Sequence, residues 1–282
     1  MLTEGLVVVH ELLGAEDQRL RRLVLKGPIA KTAKAGQFVA VMVQDSSIPS
    51  YDPLLRRPIS IAEISPDQDK ITLLYRIQGR GTEILARARC GEQLSVMGPL
   101  GQGFSLAEIG ELWLVAGGIG IFPLYALAQS ALEQGLKVRL FWGGENQSFL
   151  LSAGLLAWQA LGIPIHLSTL DGTLGNQGLV TEQVQGRLSE QFGQTKQENI
   201  SSSVQISVAT CGPKKMMQAV TELCMSFAVP VQVSLEERMG CAVGACLGCV
   251  CTLVDETGTL KHKKVCQDGP VFRGEEVVWD EG

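Results

Sequence analysis

The stretch Leu112-Trp-Leu-Val-Ala-Gly-Gly-Ile-Gly-Ile-Phe-Pro123-Leu-Tyr-Ala-Leu-Ala-Gln-Ser-Ala-Leu132 carries no charge and is long enough to cross a membrane. Its middle argues otherwise. Gly117, Gly118, Gly120 and Pro123 would interrupt a spanning helix. The residues divide better into a buried strand over Glu111–Ala116, a glycine turn, and a helix over Phe122–Gln134 with proline in its first turn. Such a unit gathers free N–H groups and the positive end of a helix dipole at one point, which suits a pyrophosphate. A turn needed only for close packing would read the same way, because a lone glycine-rich turn is weak evidence.

The alternation continues downstream. Lys137–Trp142, Ile163–Thr169 and Gln205–Ala209 read as strands, and Leu150–Leu161 and Lys214–Met225 as helices. That order predicts a parallel sheet with right-handed crossovers. Residues 186–203 are polar and read as a helix end and surface loop. Upstream, Leu20–Leu25, Gln37–Val43, Pro58–Ala62, Ile71–Ile77 and Gln93–Met97 are short strand-like runs set apart by Gly, Pro, Asp and Ser. They predict a small closed antiparallel barrel, with Gly81–Arg89 its one helical piece. The expected fold class is therefore α/β plus β. A barrel spans 1–103, a parallel α/β nucleotide-binding unit 104–230, and a small C-terminal module 231–282.

The chain has 282 residues, 45% of them hydrophobic and 19% charged, with a net charge of −5. Disorder is excluded by that apolar content. The balance of 24 Lys+Arg against 29 Asp+Glu argues against nucleic acid as a partner. The opening MLTEGLVVVHELLG lacks a basic n-region and carries Glu4 and Glu11, so neither a secretory signal nor a membrane association is expected. A cytoplasmic location follows as an expectation, and there cysteines are thiols or metal ligands rather than disulfides.

Five of the eight cysteines fall in the last 42 residues. Cys241-x4-Cys246-x2-Cys249 is followed, after sixteen intervening residues, by Cys266. That spacing is the plant-type [2Fe–2S] pattern. Gly240, Gly244 and Gly248 interleave with the thiols, which lets the backbone curl and aim N–H groups at sulfur. Zinc and unliganded core cysteines are the alternatives, although zinc sites commonly add a second close pair. Cys251 reads as a packed free thiol, and Cys90 and Cys224 as core residues.

Other segments are suggestive only in company. Arg57-Pro58-Ile59-Ser60 offers a phosphate clamp and a hydroxyl on a barrel strand. Leu74-Tyr75-Arg76, then Gly81-Thr82, offer another edge and a helix start; a capped turn would look alike. Asp171–Gly178 and Cys211-Gly212-Pro213 each follow a strand at its carboxyl end, where ligands bind in such sheets, and each also reads as a plain turn. Glu145, after the second strand of the sheet, accepts a ribose hydroxyl or is merely solvated. His10, His166 and His262 have no evident catalytic neighbour.

Taken in order, these segments resemble the ferredoxin-reductase-like superfamily, and within it the electron-transfer subunits of NAD-linked, two-subunit dihydroorotate dehydrogenases. The likeness runs through nearly the whole chain. Arg57–Ser60 resembles the family's flavin box and Gly81-Thr82 its flavin-phosphate turn. Gly117-Gly118-Ile-Gly120 with Pro123 resembles its nucleotide loop, and Cys211-Gly-Pro213 its nicotinamide-side turn. Glu236-x-x-Met239-x-Cys241 through Cys249, with Val265-Cys266-x-Asp-Gly-Pro270, resembles its cluster segment.

The resemblance implies FAD between barrel and α/β unit, NAD in the α/β unit, and a [2Fe–2S] cluster on Cys241, Cys246, Cys249 and Cys266. It implies hydride exchange between nicotinamide and flavin, and electron relay to FMN in a partner catalytic subunit, two copies of each in the assembly. No acid or base on this chain is then required, because the cofactors and the partner carry the organic chemistry. Relatives of the same layout serve ferredoxin or sulfide oxidoreductases, and a stand-alone NAD(P)H reductase is a further alternative.

Overall fold

The computed structural model describes residues 1–43, 52–65, 67, 69–107, 110–193 and 205–279. Six antiparallel strands close the expected barrel: β1 (Leu2–Leu13), β2 (Leu20–Lys26), β3 (Phe38–Val41), β4 (Arg57–Ser65), β5 (Lys70–Arg76) and β6 (Gln93–Leu100). Their order around the barrel is β1-β2-β5-β4-β3-β6. A short helix α1 (Arg80–Leu85) joins β5 to β6. Strand β1 is absent from the runs predicted above. Its sequence is only half alternating, and both its edges are held by partners distant in sequence, β2 and β6.

The second half contains β7 (Glu111–Gly117), α2 (Phe122–Glu133), β8 (Lys137–Gly144), α3 (Gln147–Ser152), α4 (Leu155–Ala160), β9 (Ile165–Thr169), β10 (Asn176–Gln177) and α5 (Val180–Gly193). Then come β11 (Ile206–Cys211), α6 (Lys214–Ser226), β12 (Val231–Ser234), the hairpin β13 (Val250–Val254) and β14 (Leu260–Lys264), and β15 (Val271–Arg273). The predicted helix over Leu150–Leu161 is two helices, broken where Gly154 takes φ +101°. Of the polar segment 186–203, helix α5 covers the start; residues 194–203 lie outside the described residues.

One sheet runs β10-β9-β8-β7-β11-β12-β15, parallel except for the last pair. Strand β12 therefore extends the α/β sheet. The boundary expected at 230/231 falls just before a strand that this sheet incorporates, and β15 returns the chain to its edge after the cluster segment. The strand order reverses beside β7, so the carboxyl ends of β7 and β11 flank the usual ligand crevice of open parallel sheets.

Helix α2 fixes the seam between the halves. Leu124, Leu127 and Ala128 pack with Leu112, Leu114 and Leu140 of the sheet, while Leu20 and Ala62 of the barrel join the same core. A helix packed on both faces has no polar face, which is why Leu112–Leu132 reads as uncharged.

Inside the barrel, Tyr75 and His10 form one polar contact. His10 Nδ1 lies 2.8 Å from the Ala88 carbonyl, and Nε2 lies 2.9 Å from Tyr75 Oη. A carbonyl can only accept, so Nδ1 carries the proton and the Tyr75 hydroxyl donates to Nε2. Burial lowers the His10 pKa below its ordinary 6.5, with Arg21 acting in the same direction. The unfolded chain then takes a proton before the folded one does. Stability is fully present above about pH 6.5 and declines as pH falls through the folded-state pKa. His10→Phe is expected to cost about 1–3 kcal/mol at pH 8, by stranding the Tyr75 hydroxyl. It should also flatten the slope of stability below pH 6.5, measured by urea unfolding at stepped pH.

Candidate cofactor clefts and iron–sulfur site

Two clefts meet at the seam. One, of about 250 Å³, is lined on the barrel side by Arg57, Pro58, Ile59, Ser60, Leu74, Tyr75 and Arg76. The other, of about 660 Å³, is lined by Gly117, Gly118, Gly120, Glu145, Gly212, Pro213 and Lys214, and closed by Val250–Thr252 and Val277. Arg76, Gln78, Ile119 and Glu236 line both. The segments singled out in barrel and sheet thus converge on one junction.

Strand alternation sorts the barrel residues. Leu74 and Arg76 face outward, whereas Ile59 and Tyr75 belong to the barrel core and reach the groove only at an edge. Gly81 lies directly beneath Arg57: a Cβ there would stand 2.0 Å from Arg57 Nε. Thr82 caps its helix, its Oγ1 accepting from Gln78 N at 3.0 Å and Gly79 N at 3.2 Å. So the capped turn and the groove edge are the same structure. Arg76 Nε is buried without a hydrogen-bond partner among the described residues, while the residue's outer side lines the groove.

On the sheet side, Trp142 Nε1 donates to the Gly118 carbonyl at 3.2 Å and holds the turn. Gly120 packs so tightly that a Cβ would lie 2.3 Å from the Cys211 carbonyl oxygen. The Cys211 side chain is fully buried in the α2 core, and burial pushes its thiol pKa up. Gly212 and Pro213, not Cys211, present themselves to the cleft. The Asp171–Gly178 loop is an Asx turn, with Asp171 Oδ1 accepting from Thr173 N and Oγ1 at 3.0 and 2.7 Å. Glu236, quoted in the sequence only as part of the cluster lead-in, is raised in pKa by desolvation between the two clefts. No spacing signal marks it, because only the turn after β12 brings it there.

The cluster segment is a nest of N–H donors aimed at sulfur. Ala245 N and Cys246 N point to Cys241 Sγ at 3.2 and 3.3 Å, and Val243 N at 3.5 Å. Gly244 N reaches Cys266 Sγ at 3.1 Å, Gly248 N reaches Cys246 Sγ at 3.4 Å, and Cys266 N reaches Cys249 Sγ at 3.4 Å. The donors to Cys241, chiefly Val243 and Cys246, lower its pKa to about 6. Burial, reinforced by Cys249, pushes Cys266 up to about 12, so its thiolate calls for a compensating cation.

Cys246 is a neighbour of Cys241 and Cys249 of Cys266, with Cys241 also within electrostatic reach of Cys266. Among the described residues no three His, Cys, Asp or Glu side chains gather for a single metal ion. Two adjacent pairs suit a cluster whose two irons each take two thiolates. Cys251 is buried as expected and Cys224 is core; Cys90 is exposed, on a turn among Arg89 and Glu92 rather than in apolar surroundings.

Comparison with known proteins finds two family models along the chain. Residues 236–278 match the iron–sulfur cluster binding domain of dihydroorotate dehydrogenase B, and residues 114–222 the oxidoreductase NAD-binding domain. The "Dihydroorotate dehydrogenase B (NAD(+)), electron transfer subunit" of Shouchella clausii is 40% identical over 277 residues, 97% of each chain. That of Bacillus caldolyticus is 40% identical over 281 residues, 98% of each. The chain belongs to this family of electron-transfer subunits. Among solved structures, the NADH-dependent reduced ferredoxin-NADP oxidoreductase aligns with TM-score 0.78 and 26% identity, over 98% of this chain and 90% of that one. The ferredoxin reductase of carbazole 1,9a-dioxygenase shares the fold at TM-score 0.63 and 18% identity, over 83% of this chain and 68% of that one. Among the described residues no helix is long and apolar enough to cross a membrane.

The pairing of sulfurs makes a contrast testable. Cys246→Ser should abolish the iron and acid-labile sulfide content of the purified protein, whereas Cys251→Ser should leave both intact. Equal content in the two variants would reassign the ligands.

Proposed function

We propose that this chain carries electrons between NAD(H) and an FMN-containing dihydroorotate dehydrogenase catalytic subunit, in pyrimidine biosynthesis. The observation that carries the reading is the meeting of a flavin-type groove, a nucleotide cleft and a four-thiol nest around one seam. FAD, when bound, supplies hydride exchange with nicotinamide and one-electron delivery to the [2Fe–2S] cluster. The chain's own residues bind and orient. Arg57 and the Gly81-Thr82 turn hold FAD phosphates, Ser60 faces the flavin ring, and Leu74 and Arg76 complete that groove. Gly117, Gly118 and Gly120, with the N-terminus of α2, receive the NAD pyrophosphate. Gly212 and Pro213 line the nicotinamide end. The buried thiol of Cys211 shapes that turn from below.

The partner docks beside the cluster, where Val243 and Leu247 are exposed around Cys246. Two copies of each subunit form the assembly, and the complex works in the cytoplasm. Mass spectrometry of the intact complex, isolated anaerobically from its native host, tests this. A stoichiometric FMN-binding subunit is expected. A larger partner with its own flavin and iron–sulfur clusters would move the chain to a ferredoxin or sulfide oxidoreductase.

Within the chain, Ser60→Ala should slow NADH-driven flavin reduction in stopped flow with FAD still bound. Gly81→Ala should displace Arg57 and lower FAD occupancy, read from the flavin-to-protein absorbance ratio. Unchanged reduction kinetics in the first, or full occupancy in the second, would remove the corresponding role.

A further inference from the structure

Arg76 belongs to the barrel, yet its side chain is held by the α/β unit. Its guanidinium carbon lies 5.0 Å from the centre of the Phe149 ring, and Nη1 lies 3.5 Å from Glu145 Oε1. Arg76 lines both clefts, and its Nε is the buried donor that lacks a partner among the described residues. A guanidinium can stack on a ring, hold a carboxylate and still present a third donor elsewhere; an ammonium cannot do all three.

The platform beneath Arg76 is built in layers. Gly144 has no side chain, and a Cβ there would come within 2.8 Å of Phe149 and Leu150, so the ring closes on the end of β8. Asn146 caps α3, its Oδ1 accepting from Phe149 N at 2.9 Å. Gln147 N donates to Thr173 Oγ1 at 2.9 Å, and Thr173 Oγ1 donates to Asp171 Oδ1. The Asp171–Gly178 loop therefore buttresses the turn that carries Glu145.

We propose that Glu145 is a positioning residue for the flavin groove: across the seam it holds Arg76 over Phe149, so that the part of the guanidinium that lines the groove donates to an acceptor on the bound flavin dinucleotide. This rests on the flavin reading of the groove and assigns Glu145, a residue of the nucleotide side, to the flavin side. Without Glu145 the guanidinium swings away, and the groove loses a directed donor rather than a surface charge.

The test uses the holoprotein without nicotinamide nucleotide and follows FAD release by the rise in flavin fluorescence on dilution. Glu145→Gln should speed release by roughly three- to tenfold, with the thermal midpoint unchanged. Arg76→Lys should speed it at least as much. In the double variant, Glu145→Gln should add nothing to Arg76→Lys. Thr173→Val, which removes the buttress without touching either charge, should act in the same direction more weakly and should also vanish in the Arg76→Lys background. Unchanged release in Glu145→Gln, or the same factor in the presence and absence of Arg76, would overturn the proposal. A wild-type chain that retains no flavin would instead overturn the flavin reading on which it rests.

Discussion

Everything in this chain that does chemistry depends on how helix α2 is buried. Its residues Phe122, Leu124, Leu127 and Ala128 are enclosed by the sheet on one side and by barrel residues Leu20 and Ala62 on the other. Apolar surface removed from water on two faces binds the two halves into one body, because separating them would expose both. The N-terminus of that helix must then emerge at the seam. The glycine turn before it, the barrel strands β4 and β5, and the turn after β11 come to the same place for that reason. Adjacency of the barrel-side groove and the sheet-side cleft is a packing result before it is a chemical one.

The cluster segment is tied to this body by the sheet itself. Strand β12 adds to β11 in parallel, and β15 returns antiparallel on β12. Between these strands the chain makes its thiol nest and the β13–β14 hairpin, and Val250–Thr252 of that hairpin closes the nucleotide cleft. Cys249, Cys251 and Cys266 share a core with Val208, Val231 and Val233 of the sheet and with Phe38 of the barrel. The cluster is thus not on a tether. Its distance from the clefts is set by close-packed side chains, which is what electron transfer between fixed centres requires. Six backbone N–H groups directed at four sulfurs then do locally what a cation alone would leave undone, spreading the negative charge of thiolates over the loop.

The fold class and the thiol set were legible because each has a local signature. Alternation of strand and helix is written in hydrophobic period, and ligand spacing in the interval between cysteines. What was not legible depends on contacts distant in sequence. Strand β1 is held by partners on both edges rather than by its own pattern. The break at Gly154 needs a left-handed residue that the helical period conceals. Cys211 sits in a motif that invites a cleft role, yet the last residue of a buried strand turns its side chain into the core, so the motif meets the cleft through Gly212 and Pro213. Cys90 departs from expectation in the opposite sense: its turn lies among charges, and a small apolar residue there stays in water.

Tyr75 and Arg76 show most clearly how one residue step divides structure from chemistry. Successive side chains of β5 point to opposite faces, so Tyr75 turns inward to His10 and Arg76 outward to the seam. A one-residue slip of β5 against β2, where Leu20 pairs with Arg76 and Arg21 with Tyr75, would bury the guanidinium and expose the phenol. That face already carries Arg21, whose Nε is buried without a hydrogen-bond partner among the described residues, so the slip would set a second guanidinium beside it and move the core residues of β5 outward. Barrel packing therefore selects which residues the groove can use, and the short run Leu74-Tyr75-Arg76 carries two requirements at once: one for a closed core, the other for a donor that reaches across to the opposite half.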